Sequence, residues 1–168
     1  MAAAADEARV TGFDAKVRTP FAVLGIRTDG ECVTGIVYLP LTERASAPRT
    51  PCAKRVAREV EAYLRDPAFT FSVPINARGT PFQRRVWDAI ASIPVAESLT
   101  YAEVARMVRS SARAVGGACA ANRIGLVVPC HRVVGSRGSL GGFMNAVDGE
   151  AIRIKRWLLA HEGYRFGA

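Results

Sequence analysis

The sequence predicts an α/β N-terminal domain over residues 1 to 76, a small antiparallel sheet with one helix. A mostly α C-terminal domain follows over residues 77 to 168, with a helix-turn-helix and a short strand that carries a cysteine beside a histidine. Three observations predict this. β-Branched runs separated by turn residues fill residues 13 to 39, two capping boxes open helical periodicities after Gly79, and the charge changes character near the same place.

In the first half, residues 13 to 17, 22 to 28 and 33 to 39 read as strands, and Asp29-Gly30-Glu31 joins the last two as a hairpin turn. Residues 44 to 51 are a breaker-rich loop. From 52 to 65 the apolar Val56, Val60, Tyr63 and Leu64 share one helical face, and Asp66-Pro67 stops the helix. Residues 69 to 75 return to strand. No constellation of reactive side chains lies here, so Cys32 and Cys52 are expected to be packing residues.

Residues 76 to 79 form a joint. Thr80, Pro81 and Gln83 then start a helix with a threonine cap, a proline at its first position and a glutamine that closes the box. Phe82, Val86, Ile90 and Ile93 make its buried stripe, Trp87 joins the core, and Pro94 ends it. Thr100 and Glu103 form a second box, stapled by Leu99 and Val104, so a helix covers 101 to 108. After Ser110-Ser111 a third helix covers 112 to 121, and two short helices across a tight turn are the pattern of a helix-turn-helix.

That third helix contains Gly116-Gly117, each glycine costing roughly 1 kcal/mol relative to alanine, and hardly any bulky side chain. Such a surface is built for close approach, by a neighbouring helix or by a nucleic-acid groove. Against DNA, small side chains suit shallow minor-groove insertion, and only Arg113 is long enough to reach into a duplex. Asn122 ends the helix, where asparagine tolerates left-handed backbone. Residues 135 to 149 are a glycine-rich loop. Residues 151 to 162 close the chain as a helix with Ile154, Trp157 and Leu158 inward and Gly163 as its stop.

With 168 residues, 49% of them hydrophobic, the chain has enough apolar content for a real core. Its start, Met1 to Glu7, has neither a basic nor an apolar signal region, and no run reaches membrane-spanning length. A soluble cytoplasmic monomer with frayed first residues is expected. The four cysteines have no CxxC spacing and both histidines fall near the end, which argues against a zinc site or a disulfide framework. No metal and no organic cofactor are expected. Residues 1 to 75 hold ten Lys/Arg against nine acids, a net of +1, and residues 76 to 168 hold thirteen against six, a net of +7, so nearly all the excess charge belongs to the second half. No acid occurs between Glu103 and Asp148, whereas Arg106, Arg109, Arg113, Arg123, Arg132 and Arg137 do, a distribution that favours a polyanionic partner over a merely solvated face.

The stretch 126 to 134 combines the composition of a buried strand with Pro129-Cys130-His131-Arg132. Proline cannot donate to a ladder, so the strand is expected to end, bulge or lie at an edge where the cysteine appears. Adjacent strand residues point to opposite faces. Cys130 and His131 therefore pair only if Pro129 breaks the pleat or a water bridges them. A lone cysteine in an apolar run is more often core than nucleophile.

Taken together, Pro129 to Arg132 preceded by Asn122, the small helix opening with Ala112-Arg113-Ala114-Val115-Gly116, the Thr100-Tyr101 start and the closing Trp157 to Gly163 resemble the O6-alkylguanine-DNA alkyltransferases, also called methylated-DNA protein-cysteine methyltransferases. The resemblance covers residues 79 to 163; the first half matches only in layout. It implies a DNA repair protein that moves the alkyl group from O6-alkylguanine, and possibly O4-alkylthymine, in duplex DNA irreversibly onto Cys130, once per molecule. It further implies His131 as the base acting through water, Glu162 as its orienter, and Tyr101 beside the flipped base. Arg113 becomes the finger that fills the vacated stack. Ala112, Gly116, Gly117, Ala120 and Arg123 complete the DNA face, Asn122 is the hinge, and Pro129, Val133, Ser136, Phe143 and Met144 line the guanine pocket.

The chemistry agrees with those roles. A thiol with a pKa near 8.5 is only slightly ionised at neutral pH and needs a base. Guanine oxygen is the leaving group, so proton donation by a tyrosine helps, and the target atom lies inside the duplex, so the base must be flipped out. Two departures stand out: Phe143-Met144 replaces the family's usual tyrosine and small or polar residue, and residues 145 to 150 read as an insertion. The alternatives are a non-catalytic sensor of alkylation damage or regulatory DNA-binding protein, which the presence of Cys130 disfavours, and a cysteine hydrolase, for which no oxyanion hole is evident.

Overall fold

The computed structural model describes residues 12–167; the start that was expected to fray lies outside them. Strands β1 (Ala15–Arg18), β2 (Val23–Asp29) and β3 (Cys32–Leu39) form an antiparallel sheet in that order, with Gly30 at φ +60° in the hairpin turn as its position demands. Val23, Leu24 and Ile26 of the central strand are all buried, because the sheet is covered on both faces. Helix α1 (Pro51–Arg65) is capped by the Thr50 side chain and lays Val56, Val60 and Tyr63 into the core.

Residues 69 to 75 do not form the expected strand. The backbone N–H groups of Ser72 and Val73 donate to the buried Glu59 carboxylate at 3.0 and 3.2 Å, so they cannot join a ladder. Only Ile75 makes a bridge, to Val33 on the outer edge of β3. Ile124 bridges the same edge at Ile36, and this edge is where the two halves of the chain meet.

The second half follows its sequence signals closely. Helix α2 (Pro81–Ala91) carries the Thr80/Gln83 box, and α3 (Tyr101–Val108) carries the Thr100/Glu103 box directly after the short strand β4 (Leu99–Thr100). A three-residue turn, Arg109 to Ser111, leads to α4 (Ala112–Ala120), capped by Ser111. Asn122 is not left-handed; Ala121, in right-handed backbone, is the cap residue, and the Asn122 side chain has another use. Helix α5 (Gly149–His161) ends at Glu162 and Gly163, the latter with φ +81°.

The expected strand over 126 to 134 is the main correction. Leu126 is left-handed, Val127 N–H bonds Gly125 O, Cys130 N–H bonds Val128 O, and residues Cys130–Arg132 form a single 3-10 turn. Only β5 (Val133–Val134) is extended, parallel to β4. One apolar cluster runs from the sheet through α1 to all four later helices. Trp87 is central to it, 4% exposed, with its indole N–H donating to Ala118 O at 2.8 Å. Trp87→Ala is expected to cost about 3–5 kcal/mol in urea unfolding, since it leaves a large void and orphans that carbonyl; a loss under 1 kcal/mol would mean that α4 is anchored elsewhere.

Candidate active site

The tight turns before Pro129 deliver Cys130 and His131 in different directions without a pleat. Cys130 is 7% exposed and lines a cavity of about 700 Å3. Its Sγ accepts from Asn122 Nδ2 at 3.2 Å; the same amide donates to Val128 O at 3.1 Å while Asn122 Oδ1 accepts from Ile124 N–H at 2.9 Å. Asn122 thereby fastens the end of α4 to the turn that holds the thiol.

His131 is 1% exposed, and its Nε2 meets Glu162 Oε1 at 2.8 Å. Glu162 is buried but richly bonded. Arg132 grips both its oxygens at 2.9 and 3.0 Å and Tyr63 donates to Oε1 at 2.8 Å. Burial pushes the Glu162 carboxyl up, but the hydrogen bonds and charges of His131 and Arg132 win and hold it at about 2. Burial, with Arg132 and Lys155 nearby, lowers the His131 pKa despite Glu162, so the ring is neutral at pH 7. With a carboxylate at Nε2, that nitrogen carries the proton, and Nδ1 is left as a basic lone pair. Nδ1 is buried with no protein partner, and no direct hydrogen bond joins it to Cys130.

The hydrogen bond that Cys130 gives to Cys119, and then burial, keeps the Cys130 thiol above the ordinary cysteine range; the same bond draws the Cys119 thiol below it. Lys155 is fully buried between Val133 O (2.6 Å) and Gly142 O (2.9 Å), and burial pushes it down to about 8 against the pull of Cys119 and Cys130. Tyr101 donates to Gly142 O at 2.9 Å, and burial first, then the two cysteines, push its hydroxyl up to about 12, so it stays protonated.

The cavity brings Tyr101, Ala112, Gly116, Ala120, Asn122, Arg123, Phe143 and Met144 together with Cys130. It does not collect Pro129, Val133 or Ser136. Pro129 lines a larger cavity of about 800 Å3 that holds no cysteine or histidine, Val133 is committed to β5, and Ser136 sits exposed in a turn. Gly117 and Arg113 are exposed on α4 outside the cavity. Phe143 and Ala146 exchange backbone hydrogen bonds across Met144-Asn145, both left-handed, so the expected insertion begins as a tight hairpin and the Phe143 N–H is already used. Cβ atoms added at Gly116 or Gly117 would meet nothing within 4 Å. The glycines therefore do not serve helix packing.

Sequence reasoning missed Lys155, Tyr63 and the grip of Arg132 on Glu162. Lys155 has a signal, a lysine on α5 whose neighbours at i+3 and i+4 are Leu158 and Leu159; Tyr63, far away in the chain, has none. Among the described residues no group of three or more His, Cys, Asp or Glu side chains is arranged to hold a metal, and no helix is long and apolar enough to cross a membrane.

Glu162 carries a test of the network. Its carboxyl titrates near 2 when folded and near 4.5 otherwise, a difference worth about 3 kcal/mol. Because the folded value is depressed, this stabilisation is present above pH 4.5 and is lost as the pH falls toward 2. Urea midpoints of the wild type are expected to fall more steeply across that window than those of Glu162→Gln; equal slopes would assign the acid sensitivity to other carboxylates.

Comparison with known proteins gives one consistent answer. Residues 81–164 match the family model described as 6-O-methylguanine DNA methyltransferase, DNA binding domain. The chain is 32% identical to the methylated-DNA--protein-cysteine methyltransferase of Methanosarcina mazei over 87% of this chain and 94% of that one. It is 34% identical to the protein of the same name from Mycobacterium bovis, over 89% and 91% respectively. Among solved structures it resembles Mycobacterium tuberculosis OGT in complex with DNA, with a TM-score of 0.75 and 35% identity over 88% of this chain and 90% of that one.

Proposed function

The chain belongs to the 6-O-methylguanine DNA methyltransferase family, and from that premise we propose that it repairs O6-alkylguanine in double-stranded DNA by moving the alkyl group onto its own Cys130, once per molecule. The observation that carries the assignment is the placement of Cys130 on the wall of a cavity with a neutral, Glu162-oriented His131 behind it.

In this reading the free Nδ1 of His131 takes the Cys130 proton through a water, with Glu162 fixing the tautomer. The buried Lys155 ammonium favours the thiolate so formed. Sulfur attacks the alkyl carbon, the carbon–oxygen bond breaks, and the Tyr101 hydroxyl supplies the proton that lets guanine leave neutral. The product is a thioether, which neither water nor another thiol readily reverses.

The α3–turn–α4 unit acts as a helix-turn-helix that enters the minor groove with α4. Its open glycine face supports this, because Gly116 and Gly117 leave room that the protein itself does not fill. Ala112, Gly116, Ala120 and Arg123 lead from that face into the Cys130 cavity, the path a flipped base would take. Arg113, exposed at the first turn of α4, occupies the vacated stack. Residues 77 to 168 bind DNA and accept the alkyl group, while residues 1 to 76 support them, Tyr63 by its bond to Glu162 and Tyr38 by lining the cavity. We further propose a cytoplasmic monomer, and that Phe143 and Met144 set the tolerance for larger alkyl groups.

Two measurements test this. Intact mass and peptide mapping after mixing with an equimolar O6-methylguanine duplex are expected to place one methyl on the Cys130 peptide and none on Cys130→Ala, which still binds the duplex; methylation of the variant would move the acceptor elsewhere. Arg113→Ala is expected to slow repair in duplex DNA by 10-fold or more, on the order of the few kcal/mol of unstacking it offsets, and reaction with the free alkylated base far less. Equal slowing of both would contradict the finger role.

A further inference from the structure

A second thiol in the Cys130 cavity has no part in the transfer described above. Cys119 projects from α4 into the same cavity, both cysteines are free, and the two thiols shift each other's ionisation. The two differ in access. Cys119 is partly exposed while Cys130 is buried, and neither lies in a strand or disulfide that would hold it away from the other.

We propose that Cys119 is a peroxide-reactive modification site that forms a reversible disulfide with Cys130. The proposal rests on the alkyl-acceptor reading only for its consequence, the loss of a free acceptor thiol. The chemistry needs a hydroperoxide as oxidant. The Cys119 sulfur attacks the peroxide oxygen, the O–O bond breaks, and Cys119 becomes a sulfenic acid as the peroxide leaves as water or an alcohol. Cys130 then attacks the Cys119 sulfur, the S–O bond breaks, a second water leaves, and the two thiols have together given up two electrons and two protons.

Three observations support that order of events. The more exposed thiol is also the one whose pKa is drawn down, by the hydrogen bond it accepts and by Lys155, so the reactive form is the one peroxide reaches first. The resolving thiol lines the same cavity, so closure needs local adjustment rather than unfolding. Asn122 sits between α4 and the thiol turn, and the hydrogen bond from its amide to Cys130 Sγ is a contact that closure must give up. A single-use acceptor gains from this arrangement: an isolated thiol driven past the sulfenic stage is lost, whereas a disulfide is returned by a dithiol reductant.

The test uses the full chain. Treatment with equimolar hydrogen peroxide, trapping of free thiols and non-reducing peptide mapping are expected to yield a single linked pair, Cys119 with Cys130. Methyl transfer from an O6-methylguanine duplex should fall at least 10-fold and return after dithiothreitol. Cys119→Ser, scored against its own untreated activity, should form no linked pair and should lose activity that dithiothreitol does not restore. Prior methylation of Cys130 should also block the link. A link confined to Cys32 and Cys52, or Cys130 oxidised to the sulfinic stage with Cys119 still free, would overturn the proposal. Failure of methyl to reach Cys130 in untreated protein would instead overturn the transfer reading, and the peptide map distinguishes the two.

Discussion

The buried carboxylate of Glu162 is the constraint from which the local architecture follows. An ionised carboxyl out of water is tolerated only when nearly every lone pair is occupied. Here four hydrogen bonds do this, from Tyr63, His131 and two nitrogens of Arg132. His131 and Arg132 are neighbours in the chain, and neighbours on a strand face opposite ways. Both can reach one carboxylate only if the backbone between them turns, and the 3-10 geometry of Cys130–Arg132 is that turn. With His131 and Arg132 both drawn toward Glu162, the Cys130 side chain is left to face the opposite cavity. The direction of the thiol is thus a consequence of where the acid sits.

A second buried charge answers the first from the other side of the thiol. Lys155 is completely buried and reaches two carbonyl oxygens, of Val133 and Gly142, which closes the glycine-rich loop over β5 and brings Tyr101 and Phe143 to the cavity wall. Each ion does a structural task through its hydrogen bonds and an electrostatic one through its charge. Glu162 sets the tautomer of a neutral imidazole, and Lys155 places positive charge beside two thiols. Removing Glu162 would leave the Arg132 guanidinium without its carboxylate, and removing Lys155 would leave two carbonyls without their donor, which makes these sites costly to vary.

The parts of this arrangement that were legible in the sequence are those encoded by local rules. Capping boxes at Thr80 and Thr100 placed the starts of their helices, because caps act over a single turn, whereas the first of these helices ends at Ala91, short of the expected Ile93. The stretches 69 to 75 and 126 to 134 carry strand composition, yet neither is a strand through most of its length. In the first, Glu59 takes the backbone donors; in the second, tight turns serve Glu162. Both overrides come from a carboxylate distant in sequence, and neither leaves a local trace. The role-bearing residues of the second half were found through family resemblance, whereas Tyr63, separated from Glu162 by 99 positions, is placed only by the tertiary fold.

Helix α4 shows how a local rule can be broken on one face because it is obeyed on the other. Two interior glycines cost roughly 2 kcal/mol together relative to alanine. The opposing terms are of similar size: the Ser111 cap is worth about 1 kcal/mol, and the Trp87 indole bond to Ala118 O about another. Val115 and Ala118, both buried, add their share on that inner face. Stability is therefore gathered on the side that packs against α2, and the glycines fall on the side that meets no protein atom. Had they been needed for close helix packing, an added Cβ would have clashed, as it does at Gly79, where it would lie 2.4 Å from the Trp87 ring. The same residue type thus has opposite meanings at two positions. At Gly79 the fold demands it, and on α4 the fold is indifferent, which leaves an external surface as the reason for the cost.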